Sequence, residues 1–157
     1  TRAVTVASRA WKTADEVDQF VQVRLARQRR LTDEDPMSLW AVLAEGVLRQ
    51  HVGGPAVMHA QLEHLATMAE RPNVTVQVLP FSRGAHSGMF GPYLLLSFPQ
   101  VASLDLVLTE TPTGNIWMEQ EPEVAYYRAL FDDARTTALP PTESLTLIRR
   151  IAKEYRA

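Results

Sequence analysis

The sequence contains no cysteine, which excludes disulfide bonds, thiolate metal ligands and a cysteine nucleophile. No apolar run approaches the roughly 18 residues that a membrane-spanning helix needs, and no signal-peptide pattern is present. A basic excess is also missing, because 16 Lys and Arg residues stand against 18 Asp and Glu residues, for a net charge of −2. Domains that bind DNA by themselves usually carry a strongly basic face. We therefore expect a cytoplasmic domain that does not associate with membranes and does not bind DNA on its own.

The overall composition is that of a globular domain. The chain has 157 residues, of which 46% are apolar and 22% charged, and this length is sufficient for one well-formed core. No internal repeat, low-complexity segment or linker divides it, so we predict a single domain over residues 1–157. Because the first residue is Thr1 and not methionine, we also expect further residues before it in a longer protein.

Capping signals and apolar periodicity predict the helices. The segment Thr13-Ala-Asp-Glu16 is a capping box, and the apolar spacing that follows predicts a helix to about Leu31. Pro55 suits the first turn of a second long helix, which Pro72 ends. The same signals predict a pair of C-terminal helices, which begin near Glu121 and Thr142.

Short apolar runs predict about five strands. Residues 39–43 and 74–79 are separated by a predicted helix, so these two strands should be parallel. Residues 93–98, 104–109 and 115–118 are separated by segments short enough for turns, at 99–103 and 111–114, and should form an antiparallel meander. We therefore predict an α/β fold with a central mixed sheet of about five strands, flanked by helices and followed by the C-terminal helical pair.

A glycine-rich loop between the second and third predicted strands is the most informative segment. It surrounds His86 with Gly84, Gly88 and Gly91, which we interpret as turns that need positive φ. Loops at the ends of core strands commonly carry binding residues. His86 itself has three alternative roles: a catalytic group, a contact to a ligand, or a structural histidine bonded to nearby backbone.

No complete catalytic or metal signature accompanies this loop. In the segment from Gly84 to Gly88 the serine is not the central residue, so it is not a nucleophile elbow. His59 and His64 lie five residues apart on a predicted helix, not the four that direct two imidazoles to one metal. We therefore predict a structural role for both histidines, and no catalytic residue, metal or cofactor.

Several aromatic residues fall at strand ends or in loops, where a small apolar pocket can form. An acidic residue near a strand end can flank the same cleft. Packing of the aromatic rings in the core is the alternative. If a pocket exists, we predict that it is lined by Phe81, His86, Phe90, Glu110 and Trp117.

One stretch of the sequence has a family likeness. Residues 71–81, Arg-Pro-Asn-Val-Thr-Val-Gln-Val-Leu-Pro-Phe, are followed by Gly84-Ala-His86 and by Gly91-Pro92. This pattern resembles the C-terminal regulatory domain of actinobacterial Xre-type helix-turn-helix transcriptional regulators of the antitoxin-like group. Further likenesses extend the resemblance over nearly the whole chain, at residues 23–28, 39–43, 52–58 and 143–145.

The resemblance implies a regulator of transcription and not an enzyme. DNA would be bound only through an N-terminal helix-turn-helix domain, which this sequence does not contain. The part seen here would sense a small-molecule ligand, form a homodimer, or dock a small partner protein encoded nearby.

Two alternatives remain. The order of helix, strand, loop histidine and strand is similar, more faintly, to the phospholipase-D-like fold, whose motif needs a Lys two residues after the His and an Asp further on. Position 88 is Gly here and the next Asp is Asp105, so this resemblance implies a degenerate phosphodiesterase or hydrolase using His86, or an inert binding version. The second alternative is a pure protein-interaction module, with an exposed apolar patch on the last helix.

Overall fold

The computed structural model describes residues 2–7, 13–98, 104–111 and 113–156. It contains two compact units, of which the first comprises residues 1–78 and 139–157 and the second residues 79–138. The helices and strands, in chain order, are α1 (Arg2–Ala7), α2 (Ala14–Gln28), β1 (Leu39–Ala44), α3 (Glu45–Arg49), α4 (Pro55–Ala69), β2 (Val74–Leu79), β3 (Leu94–Leu96), β4 (Leu106–Thr111), β5 (Gly114–Met118), α5 (Glu121–Thr137) and α6 (Pro141–Glu154).

The capping box at the start of α2 is confirmed. The Thr13 hydroxyl oxygen accepts a hydrogen bond from the Glu16 amide at 3.2 Å, and a Glu16 carboxylate oxygen accepts one from the Thr13 amide at 2.9 Å. The helix ends at Gln28 and continues as one 3₁₀ turn to Leu31. Both bonds satisfy amides that have no partner inside the helix, so the sequence sets this boundary locally.

The core of the first unit lies between a parallel strand pair and two helices. Strands β1 and β2 pair in parallel and are joined through α3 and α4. Helices α4 and α6 pack against each other, and their apolar stripes are buried together with β2. The largest fully buried apolar side chains of this core are Leu62, Val78, Ile148 and Ile151.

Burial of the α6 stripe corrects one expectation. The interaction-module alternative placed an exposed apolar patch on the last helix, but Leu147, Ile148 and Ile151 of α6 are buried. A helix with a strongly apolar stripe gains most by packing that stripe in a core. The sequence shows the stripe but not what covers it.

Hydrogen bonds at the end of β2 bring the C-terminal segment back into the first unit. The Leu139 amide donates to the Val78 carbonyl at 2.9 Å, and the Val78 amide donates to the Ser144 hydroxyl at 2.9 Å. The same hydroxyl donates to the Leu139 carbonyl at 3.0 Å. Gln77, which is also buried, donates to that carbonyl and accepts from the Trp40 indole N–H at 2.7 Å.

The second unit contains a three-stranded antiparallel sheet and α5. In the order β3-β4-β5, Leu95 pairs with Val107, and Val107 with Met118. The Tyr93 ring packs edge-on against Tyr127 of α5, with ring centroids 4.9 Å apart. Because side chains alternate along an extended chain, Tyr93 and Leu95 lie on one side, so α5 covers the face that carries Val107.

The predicted α/β fold, its parallel pair and its antiparallel meander are confirmed, but the five strands belong to two sheets. The sequence predicted one mixed sheet. The alternation of side chains and apolar runs identify strands in a sequence. Which strands pair depends on the path of the chain between them. Between β2 and β3 it passes through Pro80 and two 3₁₀ turns, and β3 then pairs with β4. The turn predicted at 99–103 lies outside the described residues, as does position 112 of the second turn.

Over the residues that the structure describes, no helix has the length and apolar character needed to cross a membrane.

Replacing Ser144 with Ala should destabilise the protein by about 2 kcal/mol, because the buried Val78 amide loses its acceptor. Thr146→Ala is the matched control, since its exposed hydroxyl bonds only to the preceding turn of the same helix. It should change the free energy of unfolding by less than about 0.5 kcal/mol. Urea denaturation measures the free energy of unfolding of both variants. Equal losses of stability would show that the hydrogen bonds of Ser144 do not hold the C-terminal segment against β2.

Candidate functional site

The loop that follows β2 is built from two 3₁₀ turns, each followed by a glycine. The first turn is Phe81–Arg83 and the second Ser87–Phe90. Gly84 has φ of +66° and Gly91 of +119°, values that other residues rarely adopt. The positive φ expected at these two glycines is therefore confirmed. We refer to residues 80–92 as the aromatic loop.

Gly88 has a different function from the one expected. Its φ is not positive, but a β-carbon there would lie 3.1 Å from Nδ1 of His86 and 3.6 Å from a methyl carbon of Leu79. The glycine thus leaves space for the imidazole ring to lie close to the backbone. The Nδ1 atom is buried and has no hydrogen-bond partner among the described residues.

Contacts with α5 hold the second half of the aromatic loop in place. The Ser87 hydroxyl donates a hydrogen bond of 3.1 Å to the Leu130 carbonyl. Directly after the loop, Tyr93 packs on Tyr127. Burial raises the pKa of the Tyr93 phenol above its ordinary value of 10.0, and the neighbouring Tyr127 and Asp132 act in the same direction. The second half of the loop is therefore tied to α5 through Ser87, while the Phe90 side chain remains exposed.

The five predicted site residues fall into two groups. Phe81, His86 and Phe90 share the aromatic loop, where the side chains of Phe81 and Phe90 are 65% and 86% exposed. Glu110 and Trp117 lie on the sheet, where β4–β5 pairing sets Trp117 opposite Leu108 and Glu110 opposite Asn115. Both side chains are exposed on the same face, which also carries Leu94 and lies opposite the face covered by α5. We call it the outer face.

Two cavities of the first unit are lined by residues other than these five. One has a volume of about 460 Å³ and is lined by Arg49, His51, Pro55, Ile151, Glu154 and Tyr155. The other, of about 370 Å³, is bounded by α6 and the segment before it. Both volumes are in the range of small-molecule pockets, roughly 300–1,000 Å³.

An ion-pair cluster forms the polar side of the larger cavity. The Arg49 guanidinium donates to Glu45 at 2.8 Å and to Glu154 at 2.7 Å. These two carboxylates, Glu45 first, raise the pKa of Arg49. The Glu45 side chain is only 11% exposed whereas that of Glu154 is 50% exposed, so Glu154 is the more accessible partner of Arg49. The lining also contains two aromatic rings, because His51 and Tyr155 pack edge-to-face with centroids 5.2 Å apart.

Sequence reasoning missed this cavity. Its residues come from α3, from the connection to α4 and from the end of α6, about 100 positions apart in the chain. The spacing of Glu45 and Arg49 by four residues was a detectable signal for one ion pair, which forms within α3. Nothing in the sequence indicated that Glu154 and Tyr155 would join them.

The structural role predicted for His59 is confirmed. Its Nε2 atom accepts a hydrogen bond from the Arg156 guanidinium at 2.8 Å, and its Nδ1 atom lies 2.9 Å from the Ala152 carbonyl. Because guanidinium only donates and carbonyl only accepts, this arrangement requires the neutral tautomer with the proton on Nδ1. The ring links α4 to the end of α6.

Comparison with known families gives one result. A family model described as "Domain of unknown function (DUF5753)" matches residues 1–150. The chain belongs to the DUF5753 family. Searches of the curated proteins and of the solved structures give no significant match.

In this DUF5753 chain, Gly88→Ala should cost about 1 kcal/mol, since the added methyl group displaces the His86 ring. His86→Ala should relieve that crowding, so the double variant should be more stable than the two single effects predict, by about 1 kcal/mol. Chemical denaturation of the wild type, the two single variants and the double variant gives the four free energies of unfolding that this double-mutant cycle compares. Gly84→Ala is the control, because its strain comes from φ and should add independently to His86→Ala. Additive effects at Gly88 would contradict the packing role.

Stability at alkaline pH should depend on Tyr93. Its folded-state pKa is raised above 10.0, so its contribution is complete below that pH and is lost as pH rises through the folded value. Tyr93→Phe should therefore reduce the fall in the free energy of unfolding above about pH 10. Tyr126→Phe, which removes an exposed phenol from α5, is the matched control. Denaturation between about pH 8 and 11.5 makes the comparison, and parallel curves for the two variants would contradict it.

Proposed function

We propose that this chain is the regulatory domain of a DNA-binding transcriptional regulator and that it acts by binding, without catalysing a reaction. Its support in the sequence is the resemblance carried by residues 71–92. In this proposal the protein is cytoplasmic and homodimeric, and it contacts DNA only through an N-terminal helix-turn-helix domain. A small protein encoded nearby is the proposed partner.

The observation that favours partner binding is the exposure of large apolar side chains on an anchored loop. Met89 is 68% exposed and lies beside Phe90 on the second turn of the aromatic loop, which Ser87 holds to α5. Covering one such side chain fully is worth about 1.5–3 kcal/mol. Several together on a fixed backbone are typical of a surface that a partner covers. We therefore propose the aromatic loop as the docking surface, with His86 behind it.

Regulation would then follow from differential binding. A partner that prefers one conformation or dimer arrangement shifts the population towards it. In dimeric helix-turn-helix proteins the two reading heads contact half-sites about one helical turn apart. A change in the arrangement of the regulatory domains therefore changes the affinity for the operator. The outer face, with Glu110 and Trp117, is the second surface available for such contacts.

The larger cavity of the first unit favours a second candidate, the sensing of a small ligand. Its Arg49 keeps a buried carboxylate, Glu45, and has a replaceable one, Glu154. A small carboxylic acid with an aromatic or aliphatic body could take the place of Glu154 on the guanidinium and lie against His51 and Tyr155. This candidate uses residues other than those that the sequence indicated.

The thermal midpoint of the chain separates the two candidates. The product of the neighbouring gene, at about 100 times its dissociation constant, should stabilise the chain by about 2.7 kcal/mol, and Phe90→Ser should weaken that binding by about tenfold or more. Val23→Ser is the control, since Val23 is an exposed apolar residue on α2. Unchanged binding by Phe90→Ser would exclude the aromatic loop as the docking surface.

The second candidate predicts a different result. It would be favoured by a rise in the thermal midpoint with small carboxylic acids that is lost in Arg49→Gln.

A further inference from the structure

Strand β5 leaves one edge of the three-stranded sheet open. It comprises Gly114-Asn-Ile-Trp-Met118 and pairs with β4 on one side only. In an antiparallel ladder, alternate residues direct their N–H and C=O groups away from the neighbouring strand. Among the residues that the structure describes, no strand pairs with these groups.

This edge lacks the features that usually prevent strand-to-strand association. Proteins protect open edges with lysine, proline or inward-pointing charges, and β5 contains no charged residue and no proline. Its two largest side chains, Ile116 and Trp117, are 53% and 56% exposed. Successive side chains point to opposite faces, so one apolar side chain is exposed on each face of the open edge.

From this arrangement we infer that β5 is the homodimer interface, where it pairs antiparallel with β5 of a second copy about a two-fold axis at Ile116. The inference rests on the homodimer included in the proposed function and identifies its surface. Joining two edges in this way would form one continuous sheet of six strands from two three-stranded sheets.

The residues of β5 are complementary to themselves in this register. A two-fold axis at Ile116 sets Ile116 opposite its own copy and Asn115 opposite Trp117. The two Trp117 rings then become diagonal neighbours on the outer face, at a separation that aromatic side chains can span. This is the register that pairs all five residues of the strand with strand residues of the second copy.

The charges next to the strand are compatible with a second copy as the occupant. The first charged residue beyond the strand is Glu119, and the same register sets it opposite Thr113, so no like charges face each other. Because the paired segment is short compared with standard interfaces of roughly 800 Å² per partner, we expect a weak dimer, with a dissociation constant on the order of 10–100 µM.

Introducing a charged side chain at the two-fold axis tests the interface. Sedimentation velocity from about 5 µM to 1 mM, a range chosen around the expected affinity, separates the monomer of 17.6 kDa from a species of twice that mass. Ile116→Lys and Ile116→Glu should each weaken self-association by about tenfold or more, because like charges would lie opposite each other. An equimolar mixture of the two variants should associate again, which a misfolded variant cannot do. Tyr126→Lys, at an exposed position on α5, should dimerise like the wild type.

Each other outcome overturns the inference in a distinct way. A wild-type chain that stays monomeric at about 1 mM, well above the expected dissociation constant, would exclude both this interface and the proposed homodimer. An extended segment of another protein would then be the remaining candidate to pair with the β5 edge. A wild-type dimer that both Ile116 variants retain would exclude β5 while the homodimer stands. Variants that dissociate but fail to associate when mixed would exclude the axis at Ile116.

Discussion

The hydrogen bonds that join the end of β2 to Leu139 and to Ser144 in the first turn of α6 are the constraint on which the first unit depends. Val78 is the last β2 residue of that unit, and both of its backbone groups are satisfied by residues more than 60 positions later. Buried backbone groups without partners are costly, so these bonds favour one position for the returning chain. That position brings α6 against α4 and completes the core. It also assembles the larger cavity, since Glu154 and Tyr155 reach Arg49 and His51 only when α6 is in place.

The second unit has large apolar side chains both in its interior and on its surface. Its apolar side chains are divided between a buried set under α5, such as Val107, and an exposed set on the aromatic loop and on β5. A small unit has too little interior to bury all of its apolar surface. The surplus is placed on a loop tied to a helix and on an open strand edge. Two distinct apolar surfaces are therefore exposed, one on the aromatic loop and one at the β5 edge.

Local signals in the sequence were sufficient for elements and turns but not for their assembly. The capping box at Thr13, the strands and the positive-φ glycines at 84 and 91 follow from short-range chemistry, and each was predictable. The space that Gly88 leaves for His86 was not, because glycine is chosen there for a side-chain contact that the backbone pattern does not reveal. The division into two sheets and the meeting of Arg49 with Glu154 depend on long-range chain return, for which a single sequence carries no periodic signal. The five predicted site residues lie within one unit, three on the aromatic loop and two on the outer face of the sheet.

The junction at Val78 and Leu139 has a consequence for changes in chain length. These residues are bonded directly to each other, so the 60 or so residues between them leave and re-enter the first unit through adjacent positions. A short turn is enough to span such a gap. A change in the length of that segment therefore need not disturb the packing of the helical core.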